Sequence, residues 1–308
     1  MPINSAIVIA GPTASGKSGL ALDVAEALGG EVINADSMQV YQGMPVLSAV
    51  PCAEDRKRVP HRLYEIFSPA QNGSVVEWLN LAVAEIQRCH ADGKIPILAG
   101  GTGLYIDNLI SGTTPIPEVS ADVRRKVMSM LEDIGVQELH RRLEDFDKES
   151  FERLSPNDTT RVRRAWEVWL DTGRSLSAWH KEPMIKRLPD AVFTVVKILP
   201  EKAELDERCN ARFDLMMEQG ALQEAQQLHN LGLDRALPAM KALGVPELFA
   251  YLDGEISLDA AAELAKLHTR QYAKRQRTWF ASKPETDLIL KECYKGQKNI
   301  INDVKKRL

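Results

Sequence analysis

A short apolar segment, a glycine-containing loop and a helical pattern follow one another near the start of the chain. Residues 6–10 are apolar (AIVIA), residues 11–18 read GPTASGKS, and apolar residues then recur at helical spacing up to residue 28. The loop matches G-x-x-x-x-G-K-[ST] at every fixed position, in the strand–loop–helix context that this pattern requires. This feature constrains the fold strongly, because it predicts a buried parallel strand that leads into the start of a helix.

The residue types of this loop suit the binding of phosphate. Gly11 and Gly16 permit a tight turn whose backbone N–H groups converge on phosphate oxygens, and the following helix directs its positive dipole end to the same place. Lys17 adds a mobile positive charge, and the Ser18 hydroxyl is placed to bind Mg²⁺. The predicted phosphate or pyrophosphate site comprises Gly11, Pro12, Thr13, Ala14, Ser15, Gly16, Lys17 and Ser18.

Composition narrows the class of protein. The chain has 308 residues, of which 44% are hydrophobic and 27% charged, as is typical of a globular protein with two packed units. Its net charge of −4 means that a nucleic-acid surface has to be a local patch. The apolar runs are far shorter than a membrane span and no signal segment is visible, so we expect a cytoplasmic protein without membrane contact. The four cysteines are widely spaced and predict free thiols.

Two further predicted strands end in residues that suit catalysis. Residues 31–36 (EVINAD) end in Asp36, and residues 94–99 run into a GGTG turn that contains Thr102. Ligands of parallel sheets bind at the carboxyl ends of strands, so Asp36 should face the phosphate, as a water-mediated Mg²⁺ ligand or a general base. A helix cap or turn aspartate is the structural alternative. The glycine turn replaces the aspartate expected of a nucleotidase, which disfavours ordinary ATP hydrolysis.

The middle of the chain is predicted to be an inserted helical subdomain. The pattern is entirely helical from residue 120 to about residue 186, and residues 191–199 return to strand character. Short breaks at Gly135, 156–158 and Gly173 separate its helices, and Asp158 or Thr159 is the predicted N-cap of one of them. Within the insert, Arg161, Arg163 and Arg164 suit phosphate contact, with solvated helix faces as the alternative because charges there are nearly balanced.

The fold class is α/β: a P-loop parallel sheet flanked by helices, with the helical insert and a helical C-terminal region. The predicted domains are residues 1–117 with 190–308, and residues 118–189.

Two arginines on a later helix form a candidate anion site. Arg208 and Arg212 stand four residues apart on one face and can converge on an anion. Pairing with the neighbouring acids Glu204 and Asp206 is the alternative.

The end of a long predicted helix at 257–283 forms a candidate nucleic-acid surface. No acidic residue follows Glu263 in this helix, so its basic charge is predicted to be uncompensated. Gln271, Tyr272, Gln276 and Trp279 alternate with the basic residues. A solvated basic face with the two aromatic rings turned into the core is the alternative. The basic residues are Lys266, Arg270, Lys274, Arg275, Arg277 and Lys283.

Five segments spread over the chain carry a resemblance to a known family. They are residues 11–18, NADSMQVY at 34–41, PHRLY at 60–64, GGTGLY at 100–105 and KRQRTW at 274–279. In this order, and over nearly the whole chain, they resemble the bacterial tRNA dimethylallyltransferases, also called tRNA isopentenyltransferases. Two stretches depart from the family pattern: PVLSAVP at 45–51 stands where DIGTAKP is usual, and GVP at 244–246 lacks the usual GY.

The resemblance implies transfer of a dimethylallyl group from its pyrophosphate to the exocyclic amine of the adenine on the 3′ side of the tRNA anticodon, by a monomeric enzyme. It implies that Thr13, Ser15, Gly16, Lys17 and Ser18 hold the pyrophosphate with Mg²⁺, assisted by Arg212. It also implies that Asp36 accepts the amine proton, with Thr102 hydrogen-bonding nearby and Lys17 as the third catalytic residue. The residues that it implies for binding of the tRNA anticodon stem-loop are Asp36, Ser37, Met38, Gln39, Thr102, Arg124, Thr160, Arg161, Val162, Arg163 and Arg164.

Three other functions are compatible with the phosphate loop. A free-adenylate isopentenyltransferase would prenylate a mononucleotide and would not need the basic helix. A small-metabolite kinase would hold ATP in the loop and use Asp36 to deprotonate a hydroxyl. A non-catalytic RNA-binding module would leave the intact loop and Asp36 unexplained.

Overall fold

The computed structural model describes residues 4–283 and 285–308. The chain divides into two compact units, the first comprising residues up to Ile110 together with Leu188–Leu308, and the second comprising Ser111–Arg187. The second unit therefore starts before the predicted residue 118 and ends before residue 189. In the part of the chain that the structure describes, no helix has both the length and the apolar character needed to cross a membrane.

The first unit is built on a parallel sheet of six strands in the described residues. Their order across the sheet is β3-β2-β4-β1-β5-β6. This confirms the predicted parallel sheet. Strand β3 was not predicted, because two residues within a proline-rich stretch carry no periodic signal. The strands are β1 (Ser5–Ala10), β2 (Glu31–Asn34), β3 (His61–Arg62), β4 (Pro96–Gly100), β5 (Val192–Ile198) and β6 (Leu288–Leu290).

Helices connect these strands and form most of the second unit's regular structure, which also has an isolated antiparallel bridge between Thr113 and Ile185. The helices are α1 (Lys17–Leu28), α2 (Pro45–Ser48), α3 (Ala53–Arg58), α4 (Val75–Ala91), α5 (Gly103–Ser111), α6 (Ala121–Arg141), α7 (Lys148–Arg153), α8 (Thr159–Thr172), α9 (Leu176–Trp179), α10 (Lys202–Glu218), α11 (Ala221–Asn230), α12 (Val245–Leu252), α13 (Leu258–Ser282) and α14 (Lys298–Lys305). Two short 3₁₀ turns lie at Arg142–Asp145 and Ala239–Lys241.

The central sheet is buried on both faces. In β1, Val8 belongs to one apolar cluster, while Ile7 and Ile9 belong to the other, which also contains residues of α1. Trp78 of α4 is fully buried, stacks on Tyr105 at 4.2 Å and donates its indole N–H to the Asn34 carbonyl at 2.9 Å. Burial on both faces accounts for the continuous apolar runs of the strands and holds their carboxyl ends in fixed positions.

The second unit has its own core, formed by α6, α8 and their neighbours. Val127, Leu139 and Val162 are fully buried in it. Gly135 interrupts α6 with a non-helical conformation (φ 76°, ψ 164°), at the break predicted from the sequence. The Asp158 carboxylate accepts from the N–H of Arg161 and caps α8, as a helix start of this type requires.

Both stretches that depart from the family pattern place proline in the first turn of a helix. Pro45 begins α2, where Val46 and Leu47 donate their N–H groups to the Glu224 carboxylate at 2.8 and 2.9 Å. Pro246 lies in the first turn of α12, after Gly244 with φ 89°. Proline is tolerated there because the N–H groups of a first turn have no partner within the helix.

Candidate active site

The phosphate loop joins β1 to α1, and backbone atoms of other segments pack closely against two of its glycines. Gly16 has φ 93°, and a Cβ placed on it would lie 2.5 Å from the Tyr294 carbonyl oxygen. A Cβ on Gly11 would lie 2.5 Å from the Ile198 carbonyl oxygen. Glycine at both positions is thus required by close backbone approach as well as by the turn.

Both arginines of α10 reach the phosphate loop. Arg212 Nη1 donates to Thr13 Oγ1 at 2.8 Å, and Arg208 Nε donates to the Ala14 carbonyl at 2.8 Å. Both guanidinium groups therefore contact the loop that is predicted to bind the anion. The neighbouring acids pair elsewhere, Glu204 with Lys295 and Asp206 with Lys202.

The C-terminal segment supports the same loop from the other side. The Tyr294 N–H donates to the Ser15 carbonyl at 3.0 Å, and the Tyr294 hydroxyl donates to Asp23 Oδ2 of α1 at 2.7 Å. The sequence offered no signal for this contact, since the two segments lie at opposite ends of the chain. The Ser15 hydroxyl is buried without a hydrogen-bond partner among the described residues, which leaves it a donor in the loop.

Asp36 is held at the end of β2 by Asn34 and by its own turn. Asn34 accepts from the Asp36 N–H at 2.8 Å and donates to the Asp36 carbonyl at 3.0 Å. Asp36 Oδ1 accepts from the Met38 N–H at 3.0 Å. Oδ1 of Asp36 therefore stabilises the turn, as the structural alternative for this residue predicted. Oδ2 accepts no hydrogen bond from the residues that the structure describes.

Thr102 connects the turn after β4 to the turn after β2. Its N–H donates to the Ala35 carbonyl at 3.2 Å, and its Oγ1 accepts from the Ser37 N–H at 2.8 Å. The hydroxyl donates to Ser37 Oγ at 3.1 Å. Thr102 thus lies beside the Asp36 turn and its hydroxyl proton is used within the protein.

Residues of the phosphate loop and Asp36 line the same cavity, which has a volume of about 550 Å³. Lys17 faces this cavity, and its ammonium donates to the Pro12 carbonyl at 2.6 Å. Burial lowers the pKa of Lys17 to about 8, the nearby Asp36 carboxylate opposes the shift and Arg212 adds to it. The full lining is Thr13, Ala14, Gly16, Lys17, Ser18, Gly19, Asp36, Met38, Gln39, Leu47, Ser48, Ala49, Ala99, Gly100, Arg208, Arg212, Lys241, Ala242, Leu243, Tyr272 and Arg275.

The donor set of the cavity fits Mg²⁺ bound together with phosphate. Ser18 and Asp36 both line it. The described residues contain no group of three or more His, Cys, Asp or Glu that could hold a metal ion by themselves. Mg²⁺ in phosphate sites takes few protein ligands and completes its shell with phosphate oxygens and water, so Ser18 suits this role.

In the second unit, the arginines predicted to contact tRNA have local acidic partners. Arg161 pairs with Asp158 at 2.5 Å, and Arg163 and Arg164 lie 3.2 and 3.7 Å from Glu167. These arginines are nevertheless substantially exposed and keep donors for a ligand. Arg124 lies 3.7 Å from Glu118 on an exposed face, and Thr160 is exposed.

Val162 differs in burial from the other residues of the second unit that are predicted to contact tRNA. Its side chain has 0% exposure and packs in the core of the second unit. Contact with RNA at this position is therefore limited to the backbone, because the helix turns this residue away from the exposed face that Arg161 and Arg164 occupy.

Several basic side chains of α13 have partners within the protein that the sequence did not predict. Lys266 lies 2.6 Å from Asp214 and 3.1 Å from Glu263, so an acid of α10 compensates it. Arg270 donates to Asn210, and Arg277 to the Pro200 carbonyl. Lys274 and Arg275 remain exposed, Arg275 over the ring of the half-buried Tyr272, and Trp279 is half-buried.

The chain is similar to known transferases along nearly its whole length. The family model described as IPP transferase matches residues 39–283. The tRNA dimethylallyltransferase of Rhodospirillum centenum is 48% identical over 274 residues, covering 89% of this chain and 87% of the relative. That of Bradyrhizobium sp. (strain ORS 278) is 45% identical over 294 residues, covering 95% and 96%.

Solved structures agree with these sequence relatives. The full-length tRNA isopentenylpyrophosphate transferase of Bacillus halodurans matches with a TM-score of 0.72 and 33% identity, covering 99% of this chain and 95% of that one. A eukaryotic dimethylallyltransferase acting on tRNA matches with a TM-score of 0.78 and 28% identity, covering 98% and 72%. Together with the family match, these similarities show that the chain belongs to the tRNA dimethylallyltransferases.

Proposed function

We propose that this enzyme transfers the dimethylallyl group of dimethylallyl pyrophosphate to the exocyclic amine of the adenine on the 3′ side of a tRNA anticodon. The observation that carries the proposal is that Lys17, Arg212 and Asp36 line one cavity. The positive charges of Lys17 and Arg212 suit binding of the pyrophosphate, and the Asp36 carboxylate suits removal of a proton from the attacking amine. The printed names of the relatives, tRNA dimethylallyltransferases, agree with this pair of substrates.

The phosphate loop stabilises the leaving group in this mechanism. As the bond between the dimethylallyl carbon and the pyrophosphate oxygen breaks, its electron pair remains on that oxygen. Lys17, Arg212 and the loop N–H groups lie where they can bind the developing negative charge. Mg²⁺ held by Ser18 would supply further charge neutralisation of the pyrophosphate.

Asp36 is the proton acceptor for the adenine amine. The amine nitrogen forms the new bond to the dimethylallyl carbon and then loses a proton, which Oδ2 accepts. Oδ1 accepts from Met38 and Asn34 holds the backbone of Asp36, so the carboxylate keeps a fixed orientation. Thr102 and Ser37 fix the adjacent turn.

The adenine has to leave the anticodon stack to reach Asp36. We place tRNA contacts at the residues of the Asp36 turn and Thr102, at Lys274 and Arg275 of α13, and on the second unit. The contacts of the second unit are Arg124, Thr160, Arg161, Arg163, Arg164 and the backbone of Val162. A cytoplasmic location and a monomeric state stay predictions from the sequence.

Incubation with labelled dimethylallyl pyrophosphate and Mg²⁺, with either total tRNA or AMP, tests this function. Label in tRNA alone is expected, and nuclease digestion with mass spectrometry should place it on the adenine that follows the anticodon. Label in AMP would instead indicate a free-adenylate isopentenyltransferase. Transfer of phosphate from ATP, without prenyl transfer, would indicate a kinase.

A further inference from the structure

Gln276 of α13 is a buried amide that joins two loops of the active site. Its Oε1 accepts from the Thr13 N–H at 2.8 Å, and its Nε2 donates to the Gly101 carbonyl at 2.7 Å. The residue is 6% exposed. Both ends of one side-chain amide are therefore occupied by backbone groups from different parts of the chain.

The two loops follow neighbouring strands of the sheet. β1 and β4 pair in parallel, with Ala10 opposite Gly100, so the phosphate loop and the turn that contains Thr102 leave the sheet side by side. A Cβ placed on Gly101 would lie 2.3 Å from Gln276 Nε2, which shows how closely the turn approaches this amide. Thr13 also accepts from Arg212, so the residue that Gln276 holds is itself part of the cation site.

We infer that Gln276 is a positioning residue for prenyl transfer, which sets the separation between the phosphate loop and the turn of Thr102. This inference rests on the proposed function, because it assigns the leaving group to the first loop and the attacking amine to the side of Asp36 and Thr102. Group transfer is sensitive to the distance between reacting atoms, and small displacements reduce the rate strongly.

The hydrogen-bond pattern admits only a side chain that accepts at one end and donates at the other. Glutamine satisfies both partners. A protonated glutamate does the same, whereas an ionised glutamate accepts from Thr13 but places a second acceptor against the Gly101 carbonyl. Methionine has similar length and satisfies neither. The variants Gln276→Glu and Gln276→Met therefore separate hydrogen bonding from packing.

Titratable and charged groups surround this position. Tyr272 lies on the same helix, and burial raises the pKa of its hydroxyl above the ordinary value. Asp36 Oδ2 would lie 3.4 Å from a Cβ on Gly101, and Lys17, Arg208 and Arg212 line the adjoining cavity. The ratio of the two rates at each pH divides out their titration in the wild-type enzyme, and the uncharged Gln276→Met shows the loss of rate that does not depend on a charge at position 276.

The test is single-turnover transfer to tRNA from about pH 5.5 to about pH 8. Gln276→Met should lose on the order of 10- to 100-fold in rate at every pH, with tRNA affinity close to wild type and a lower melting temperature, since two buried backbone groups lose their partner. The rate of Gln276→Glu, divided by that of wild type, should rise severalfold or more as the pH falls. Gln223→Glu, an exposed residue of α11, makes the same charge change and should keep a flat ratio.

A pH-independent ratio for Gln276→Glu, or a wild-type rate for Gln276→Met, would overturn the inference. If Gln276→Met fails to fold, the pH dependence of Gln276→Glu still decides, since lost packing alone does not recover on protonation. Absence of label in tRNA with the wild-type enzyme would refute the proposed function instead, and is distinguishable because it requires no variant.

Discussion

Arg212 Nη1 donates to Thr13 Oγ1 at 2.8 Å, which ties a cation of α10 to the phosphate loop. Because both residues line the cavity, a bound pyrophosphate would meet this guanidinium directly. Replacement of Arg212 by alanine is expected to raise the KM for dimethylallyl pyrophosphate by roughly 10- to 100-fold, the loss of one charge-assisted hydrogen-bonding group.

Steady-state kinetics with varied donor at saturating tRNA measure this change. Arg235→Ala is the matched control, since Arg235 pairs with Asp253 on the surface. A rise in the KM for tRNA, with the donor KM unchanged, would contradict a role of Arg212 at the pyrophosphate.

The Asp36→Asn variant tests the proton acceptor. Asparagine keeps the shape of the side chain and an oxygen that accepts from Met38, but it is not a base. Single-turnover transfer should fall by on the order of 10²- to 10⁴-fold, while filter-binding or fluorescence titration gives an unchanged tRNA affinity. Asp92→Asn, at an exposed residue of the first unit, should retain the full rate. A loss of tRNA binding equal to the loss of rate would show that Asp36 acts in binding.

Donor binding should weaken in alkaline solution because of Lys17. Burial lowers the pKa of its ammonium to about 8, so the free enzyme loses this positive charge as the pH rises through that value. A bound pyrophosphate favours the charged form. The donor KM is therefore expected to be constant below about pH 8 and to rise by up to about tenfold per pH unit above it.

The donor KM from about pH 6.5 to about pH 9.5 provides the measurement. In Lys17→Ala the KM should be high throughout this range and lack the alkaline increase. An alkaline increase of the same size in Lys17→Ala would assign the effect to another group.

Tyr294 should stabilise the phosphate loop through its ring and its hydroxyl. Tyr294→Phe removes the hydrogen bond to Asp23 and should lower the free energy of unfolding by about 1 kcal/mol, with little change in the donor KM. Tyr294→Ala also removes the ring beside Gly19 and should cost more in stability and raise the donor KM. Thermal unfolding and donor kinetics of the two variants give the comparison, and equal donor KM values for wild type and Tyr294→Ala would show that the ring does not support the loop.

The arginines of α8 test the proposed tRNA surface of the second unit. Arg164→Ala should weaken tRNA binding and reduce the slope of log K against log salt by about 1, as expected for one phosphate contact. Donor KM should not change. If the affinity and the salt slope both equal those of wild type, Arg164 serves only to pair with Glu167, and the surface of this unit has to be reassigned.

Local patterns in the sequence were sufficient for much of the α/β core. The apolar runs that precede Gly11, Asp36 and the turn at Thr102 predicted three strands, which lie next to one another in the sheet, and the edge of the sheet where they end. The conformational break at Gly135 and the cap at Asp158 were predicted for the same reason. Each depends on residues within a few positions of one another, where backbone preference and strand or helix period act directly.

Contacts between distant segments were beyond the reach of the sequence. The bonds from Gln276 to Thr13 and Gly101, the Tyr294 support and the pairing of Lys266 with Asp214 join residues that no local period relates. Val162 shows the same limit, because the family resemblance implied tRNA contact for residues 160–164 while packing buries the side chain of Val162.

The sequence thus determined the chemical groups of the site: a glycine-containing loop with a lysine, a carboxylate at a strand end and a glycine turn beside it. Tertiary structure decided which cations reach the loop and which side chain joins it to the turn. The physical reason is that residue type sets which atoms donate, accept or carry charge, whereas packing of α10, α13 and the C-terminal segment on the sheet sets which of those atoms meet.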